Sequence, residues 1–196
     1  MIVHMRKVVN CGILPTFVIF LSIVFTSCNK DEDVLYFTGS SLVEKWDVRK
    51  YFPTYMTYNV GLSGSGVAYL ESQRDMFRGE NVVIISGGND VLSIDDLDAY
   101  VNRYVTAIHN LQAKRIYLFA IFPRLAFETD NYEKVRALNE KIKVSVDEMM
   151  HNVFYIDMFN RFIINGKLNE NLFYDGTHLN SWGYDLVSEE LKKILP

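Results

Sequence analysis

Five short apolar runs of strand length, alternating with longer segments of helical period, constrain this chain more than any other feature. The runs are "VLYF" (34–37), "MTYNV" (56–60), "NVVIIS" (81–86), "RIYLFAIF" (115–122) and "VFYIDMF" (153–159). Such runs suit parallel strands buried on both faces. Leu97, Val101, Tyr104, Ile108 and Leu111 then recur at steps of four and three, as do Val135, Leu138, Ile142, Val146 and Met149. Tyr184, Val187, Leu191 and Ile194 form a third stripe. These stripes are core faces of amphipathic helices, and Ser93 with Asp96 three residues on is the expected start of the first, as a capping box. The alternation predicts an α/β layer fold. With 49% hydrophobic and 14% aromatic residues in 196 positions, one domain can build its own core.

The N-terminus has a different character. Arg6 and Lys7 precede "CGILPTFVIFLSIVFTS" (11–27), which carries no charge and ends in small residues before Cys28. A transmembrane helix is the alternative to an export signal. A run of about 17 residues is short for a span, Pro15 interrupts it, and the acidic "NKDED" follows where a basic flank would stop transfer. We therefore expect a signal at 1–27, a tether at 28–33 and the domain at 34–196. The segment "VFTSC" resembles a bacterial lipobox, with Phe25 where Leu is usual. That resemblance implies a diacylglyceryl group on Cys28, a lipid anchor to a membrane, and an exported lipoprotein facing the periplasm or the cell surface.

Removal of Arg6 and Lys7 leaves 18 basic against 24 acidic residues, a net charge of −6. Nucleic acid is an unsuitable partner for such a chain. Cys11 falls within the signal, so the mature domain has no pair of cysteines to bridge.

Small and polar residues follow each of the first three strands: "TGSS" (38–41), "GLSGSG" (61–66) and "GGND" (87–90). In an open α/β sheet these loops share the carboxyl edge, where ligand crevices form, and "YDGTHLN" (174–180) can join them. A zinc site from Asp175 and His178 fails for want of ligands, since His4, His109 and His151 lie elsewhere. Two readings of the pair remain. Asp175 serves a turn with Gly176 while His178 caps a helix, or Asp175 orients His178 as a general base for a hydroxyl from another segment. Ser41, between a strand and a helix, is the natural hydroxyl, although Ser40 or Ser41 also suits a helix cap. Gly61 can offer an unobstructed backbone N–H and Asn89 a side-chain amide to a developing oxyanion; an ordinary glycine turn and an Asn-Asp turn are the alternatives. "GLSGSG" matches neither a dinucleotide fingerprint nor a P-loop.

The ordered blocks "TGSSL", "NVGLSG", "GGND" and "DGTH" resemble the SGNH/GDSL hydrolase family, named for Ser, Gly, Asn and His drawn from four separated segments. The resemblance spans essentially the whole mature domain. It implies a flavodoxin-like three-layer fold around a central, mostly parallel five-stranded sheet, with Ser41 as nucleophile, His178 as base and Asp175 as its orienter. It also implies an oxyanion hole from Gly61, Asn89 and the Ser41 amide, with neither metal nor cofactor. Ser40 stands where G-D-S-L has aspartate, as in the G-S-S variant.

The expected activity is hydrolysis of carboxylic esters through an acyl-enzyme by a monomer. Beyond Tyr51, Phe52 and Tyr55 no segment suggests a long lid, so the site should be shallow and suit short acyl groups such as O-acetyl on a glycan. A non-catalytic, surface-anchored glycan-binding protein and an acetyltransferase on the same fold are the rival readings.

Overall fold

The computed structural model describes residues 34–196, the side chains of residues 128–130 apart. The expected export signal, the tether and Cys28 lie outside the described residues.

Five strands form one sheet: β1 (Val34–Gly39), β2 (Met56–Asn59), β3 (Asn81–Ile85), β4 (Arg115–Phe119) and β5 (Val153–Ile156). Their order is β2-β1-β3-β4-β5 and every pairing is parallel. Side chains alternate across a strand, and the sheet uses that alternation to feed two cores. Val82 and Ile84 of β3, with Ile116 and Leu118 of β4, face one core; Val83, Ile85, Tyr117 and Phe119 face the other. Burial on both faces explains why these strands read as unbroken apolar runs.

The first core is closed by α3 (Val67–Ser72), α4 (Leu97–Asn110) and α5 (Glu128–Met149). The second is closed by α1 (Ser41–Glu44), α2 (Val48–Tyr51) and α6 (Ser181–Lys192). A two-stranded hairpin, β6 (Ile163–Ile164) with β7 (Lys167–Leu168), precedes α6. The architecture is the three-layer α/β fold expected from the sequence.

Local details depart from the sequence reading. The N-cap of α4 is Asp96, whose carboxylate accepts the Ala99 N–H at 3.0 Å, whereas Ser93 closes a preceding 3-10 turn by donating to the Asp90 carbonyl. β4 ends at Phe119 rather than 122, because the Asn139 side chain takes over the backbone bonds of Ile121, at 2.8 and 2.9 Å. β5 stops at Ile156 because Phe159–Phe162 turns into a 3-10 helix. Met149, the last of its predicted stripe, is exposed at the end of α5.

The strand order has a functional consequence. The chain leaves β1 toward β2 on one side and returns to β3 on the other, so the first and third loops diverge from adjacent strand ends. That switch point is where an open α/β sheet makes a crevice. Gly39 pairs with Ile85 across it, and the Ser40 N–H donates to the Ile85 carbonyl at 2.9 Å.

Candidate active site

Ser41 is the first residue of α1 and only 5% exposed. Ser40 before it is the N-cap, its hydroxyl accepting the Leu42 N–H at 3.5 Å. The two serines thus divide the roles that the sequence left open between them: Ser40 caps, and Ser41 presents its hydroxyl to another segment. At the first position of a helix a backbone N–H has no intrahelical acceptor, so the Ser41 amide adds a donor beside its own hydroxyl.

The loop between Phe173 and Leu179 is pinched by a β-bridge between these residues and by the Tyr174 N–H donating to the His178 carbonyl at 2.7 Å. Within it Asp175 uses both oxygens. Oδ1 accepts the backbone N–H groups of Thr177 and His178 at 3.0 and 2.8 Å, and Oδ2 lies 2.8 Å from His178 Nδ1. One carboxylate therefore makes both the turn contacts and the imidazole contact. These bonds, led by the imidazole contact, hold the Asp175 carboxyl down to about 2.

An ionised carboxylate can only accept. Nδ1 therefore donates, and in the neutral imidazole Nε2 is left as an acceptor, 3.0 Å from Ser41 Oγ. Ser41, His178 and Asp175 form one directional chain of hydrogen bonds.

Two buried contacts fix the spacing between the ends of that chain. Tyr184 of α6 donates its hydroxyl to the Leu42 carbonyl at 2.9 Å, and Trp46 Nε1 donates to Ser188 Oγ at 3.1 Å. The Trp46 and Tyr184 rings also stack, 5.9 Å apart. The helix after the histidine loop is thus clamped to the helix that carries Ser41.

The expected oxyanion donors are arranged less simply. Gly61 packs on α1 so closely that a β-carbon would fall among the Val43 and Glu44 backbone atoms, so only glycine fits. Its N–H donates to Asn59 Oδ1 at 3.0 Å, so in this arrangement it is engaged locally. Asn59 Nδ2 in turn donates to the Val43 and Trp46 carbonyls, which ties the Gly61 loop to the end of α1. Asn89 donates from Nδ2 to the Ser65 carbonyl at 2.8 Å, and the amide has a second hydrogen to give. Its neighbour Asp90 is structural: Oδ2 accepts the Val67 N–H at the start of α3 and the Tyr100 hydroxyl.

Sequence reading missed Arg124, which donates from Nη1 to Asn89 Oδ1 at 2.8 Å. The available signal was a lone charge in the apolar segment "AIFPRLAF". The three aromatics considered for a lid also divide among other tasks. Phe52 is core, Tyr55 donates to the Pro196 carbonyl, and Tyr51 reaches the Ser181 carbonyl at 3.4 Å. Tyr174 within the histidine loop and Trp182 of α6 are exposed. Among the described residues, no three His, Cys, Asp or Glu side chains gather as metal ligands, and no helix is long and apolar enough to cross a membrane.

An all-parallel sheet with a hydroxyl–imidazole–carboxylate chain at its carboxyl edge is a hydrolase architecture. The chain belongs to the GDSL-like lipase/acylhydrolase family, whose model matches residues 37–186. Among solved structures it is similar to a GDSL-like lipase from Bacteroides thetaiotaomicron, with a TM-score of 0.70 and 21% identity over 84% of this chain and 88% of that one. It is similar also to an acetylxylan esterase from Geobacillus stearothermophilus, solved as a catalytic mutant, with a TM-score of 0.62 and 16% identity over 82% and 93% of the two chains. Both likenesses concern the fold. An N-acylneuraminate cytidylyltransferase from Escherichia coli O18:K1:H7 is 28% identical over 175 residues, covering 80% of this chain. The chain spans only 39% of the length of that curated relative.

Proposed function

We propose that this chain is a serine esterase in which Ser41, His178 and Asp175 act as the catalytic triad. The observation that carries the reading is the hydrogen-bonded chain from Ser41 Oγ through both imidazole nitrogens to the Asp175 carboxylate. Ser41 Oγ attacks the ester carbonyl carbon as His178 Nε2 takes its proton. The imidazolium then gives that proton to the departing alkoxide, leaving an acyl group on Ser41. Water attacks the acyl-enzyme with His178 again as base, and the acid is released. The Ser41 amide and the second hydrogen of Asn89 face the negative charge of each tetrahedral intermediate, joined by Gly61 once its N–H turns from Asn59.

The substrate class we infer is a short acyl ester, O-acetyl on a carbohydrate. The likeness in fold to an acetylxylan esterase supports it, as do exposed Tyr174 of the histidine loop and Trp182 of α6, since aromatic faces suit sugar rings. We further infer that Cys28 carries lipid and holds a monomeric, exported enzyme at a bacterial membrane.

A panel of p-nitrophenyl esters of increasing chain length, run beside acetylated polysaccharides, tests the reading. Turnover should fall as the acyl chain lengthens, vanish in Ser41→Ala and persist in Ser40→Ala. A serine-directed phosphonate that labels Ser40, Ser63 or Ser65 in place of Ser41 would overturn the assignment.

A further inference from the structure

Arg124 is a buried cation, 8% exposed, and among the described residues no carboxylate lies within 4.0 Å of its guanidinium. Its Nε is buried without any hydrogen-bond partner. Burial of a guanidinium without an ion pair is costly, so its position demands a reason. Arg124 does not fill space casually: at Gly88 a β-carbon would come within 2.5 Å of Nη2, so the "GGND" loop keeps a glycine where the guanidinium passes. The guanidinium carbon also lies over the Phe127 ring, 5.6 Å from its centroid.

The single side chain it holds is Asn89. Arg124 has only donors, so the amide oxygen must face it, and the Ser65 carbonyl has only lone pairs, so the amide nitrogen must face that. Two partners of opposite kind therefore define the amide plane and forbid its flip. The adjacent Leu125 N–H donates to the Gly176 carbonyl at 2.8 Å. One short segment thus fastens the Asn89 loop to the loop that bears Asp175 and His178.

We propose that Arg124 is a positioning residue of this esterase: it locks the Asn89 amide so that its second Nδ2 hydrogen is presented to the oxyanion, and it sets a positive charge against the amide oxygen, polarising that donor. A charge–dipole pair strengthens a donor more than a neutral partner would. Lysine would not substitute, because its compact ammonium lacks the planar fork that reaches Asn89 while lying over the Phe127 ring. The inference rests on the serine esterase reading, with Asn89 in the oxyanion hole.

Steady-state kinetics on p-nitrophenyl acetate test it with Arg124→Ala, Arg124→Lys, Asn89→Ala, the Arg124→Ala/Asn89→Ala pair and Ser41→Ala. Arg124→Ala should lower kcat by about tenfold or more while KM stays within about threefold, because the lost interaction acts on the intermediate. The pair should be no more than about threefold worse than Asn89→Ala alone, since Arg124 works through Asn89. Free guanidinium at tens of millimolar should restore Arg124→Ala at least about fivefold and leave Asn89→Ala unchanged, a rescue that a purely structural loss would not show. If Arg124→Ala does not fold, Arg124→Lys should give the same kcat loss at unchanged KM. Wild-type kcat in either folded variant, or losses that multiply in the pair, would overturn the inference. Active Ser41→Ala would instead overturn the serine esterase reading itself.

Discussion

Asp175→Asn separates the two duties of one carboxylate. The asparagine must choose which end replaces Oδ1, the oxygen that accepts the Thr177 and His178 amides. With its carbonyl there, both backbone bonds survive and the NH2 faces His178 Nδ1. With the amide reversed, both backbone bonds are lost. At about 1 kcal/mol net for each bond the first orientation is favoured by about 2 kcal/mol, or about thirtyfold. In that orientation an NH2 donor meets Nδ1, which must become the acceptor, so the proton moves to Nε2 and Ser41 faces a nitrogen that cannot take its proton. The kcat/KM for p-nitrophenyl acetate should therefore fall at least about thirtyfold at neutral pH, with the thermal midpoint little changed because the turn is intact. Nitrogen-15 spectra of the imidazole should report the reversed tautomer. Activity within about threefold of wild type, or an unchanged tautomer, would show that Asp175 does not orient His178.

The Asp175 carboxyl, held down to about 2 from an ordinary 3.8, stays ionised through the working range. The acid limb of kcat/KM should therefore rise with the slope of a single ionisation, and a slope of two in the pH profile would refute it. The stability that the same group contributes is in place above its ordinary 3.8 and is lost as pH falls toward 2, to be read from melts at acid pH. Tyr184→Phe leaves the buried Leu42 carbonyl without its donor and should cost about 1–2 kcal/mol, lowering the thermal midpoint by about 2–8 °C with kcat reduced as the clamp loosens. Cys28→Ser should shift the protein from the detergent phase to the aqueous phase on partition and remove a diacylglyceryl mass; an unmodified chain in the wild type would end the lipoprotein proposal.

What could be read from the chain beforehand follows the range of the interactions. Strands such as 81–85 are legible because all five residues are buried and the last four, Val82 to Ile85, are an unbroken apolar run. Gly39, Ser41, Asn89 and His178 stand out because each follows or precedes an element whose period is plain. Helix α3 was not legible: only Val67 and Leu70 of its six residues are buried, and its first N–H is capped by Asp90, 23 positions away. Ser93 offered a local cap, but the chain uses Asp96. The bond from the Gly61 N–H to Asn59 spans two residues, yet nothing in "NVGLSG" distinguishes a glycine whose amide is engaged from one whose amide is open. Arg124 was hidden for the same reason as α3, since its partner Asn89 lies 35 positions upstream.

The contact between Ser41 Oγ and His178 Nε2 joins residues 137 positions apart, and the Trp46–Ser188 and Tyr184–Leu42 bonds each span 142. The two 142-residue contacts form only when α6 docks on α1, and the Ser41–His178 hydrogen bond is spaced by them. Closing such long loops is entropically slow, so any esterase activity that depends on the Ser41–His178 pair should return late when the unfolded domain is refolded, after α6 has packed and later than the strands regain their structure.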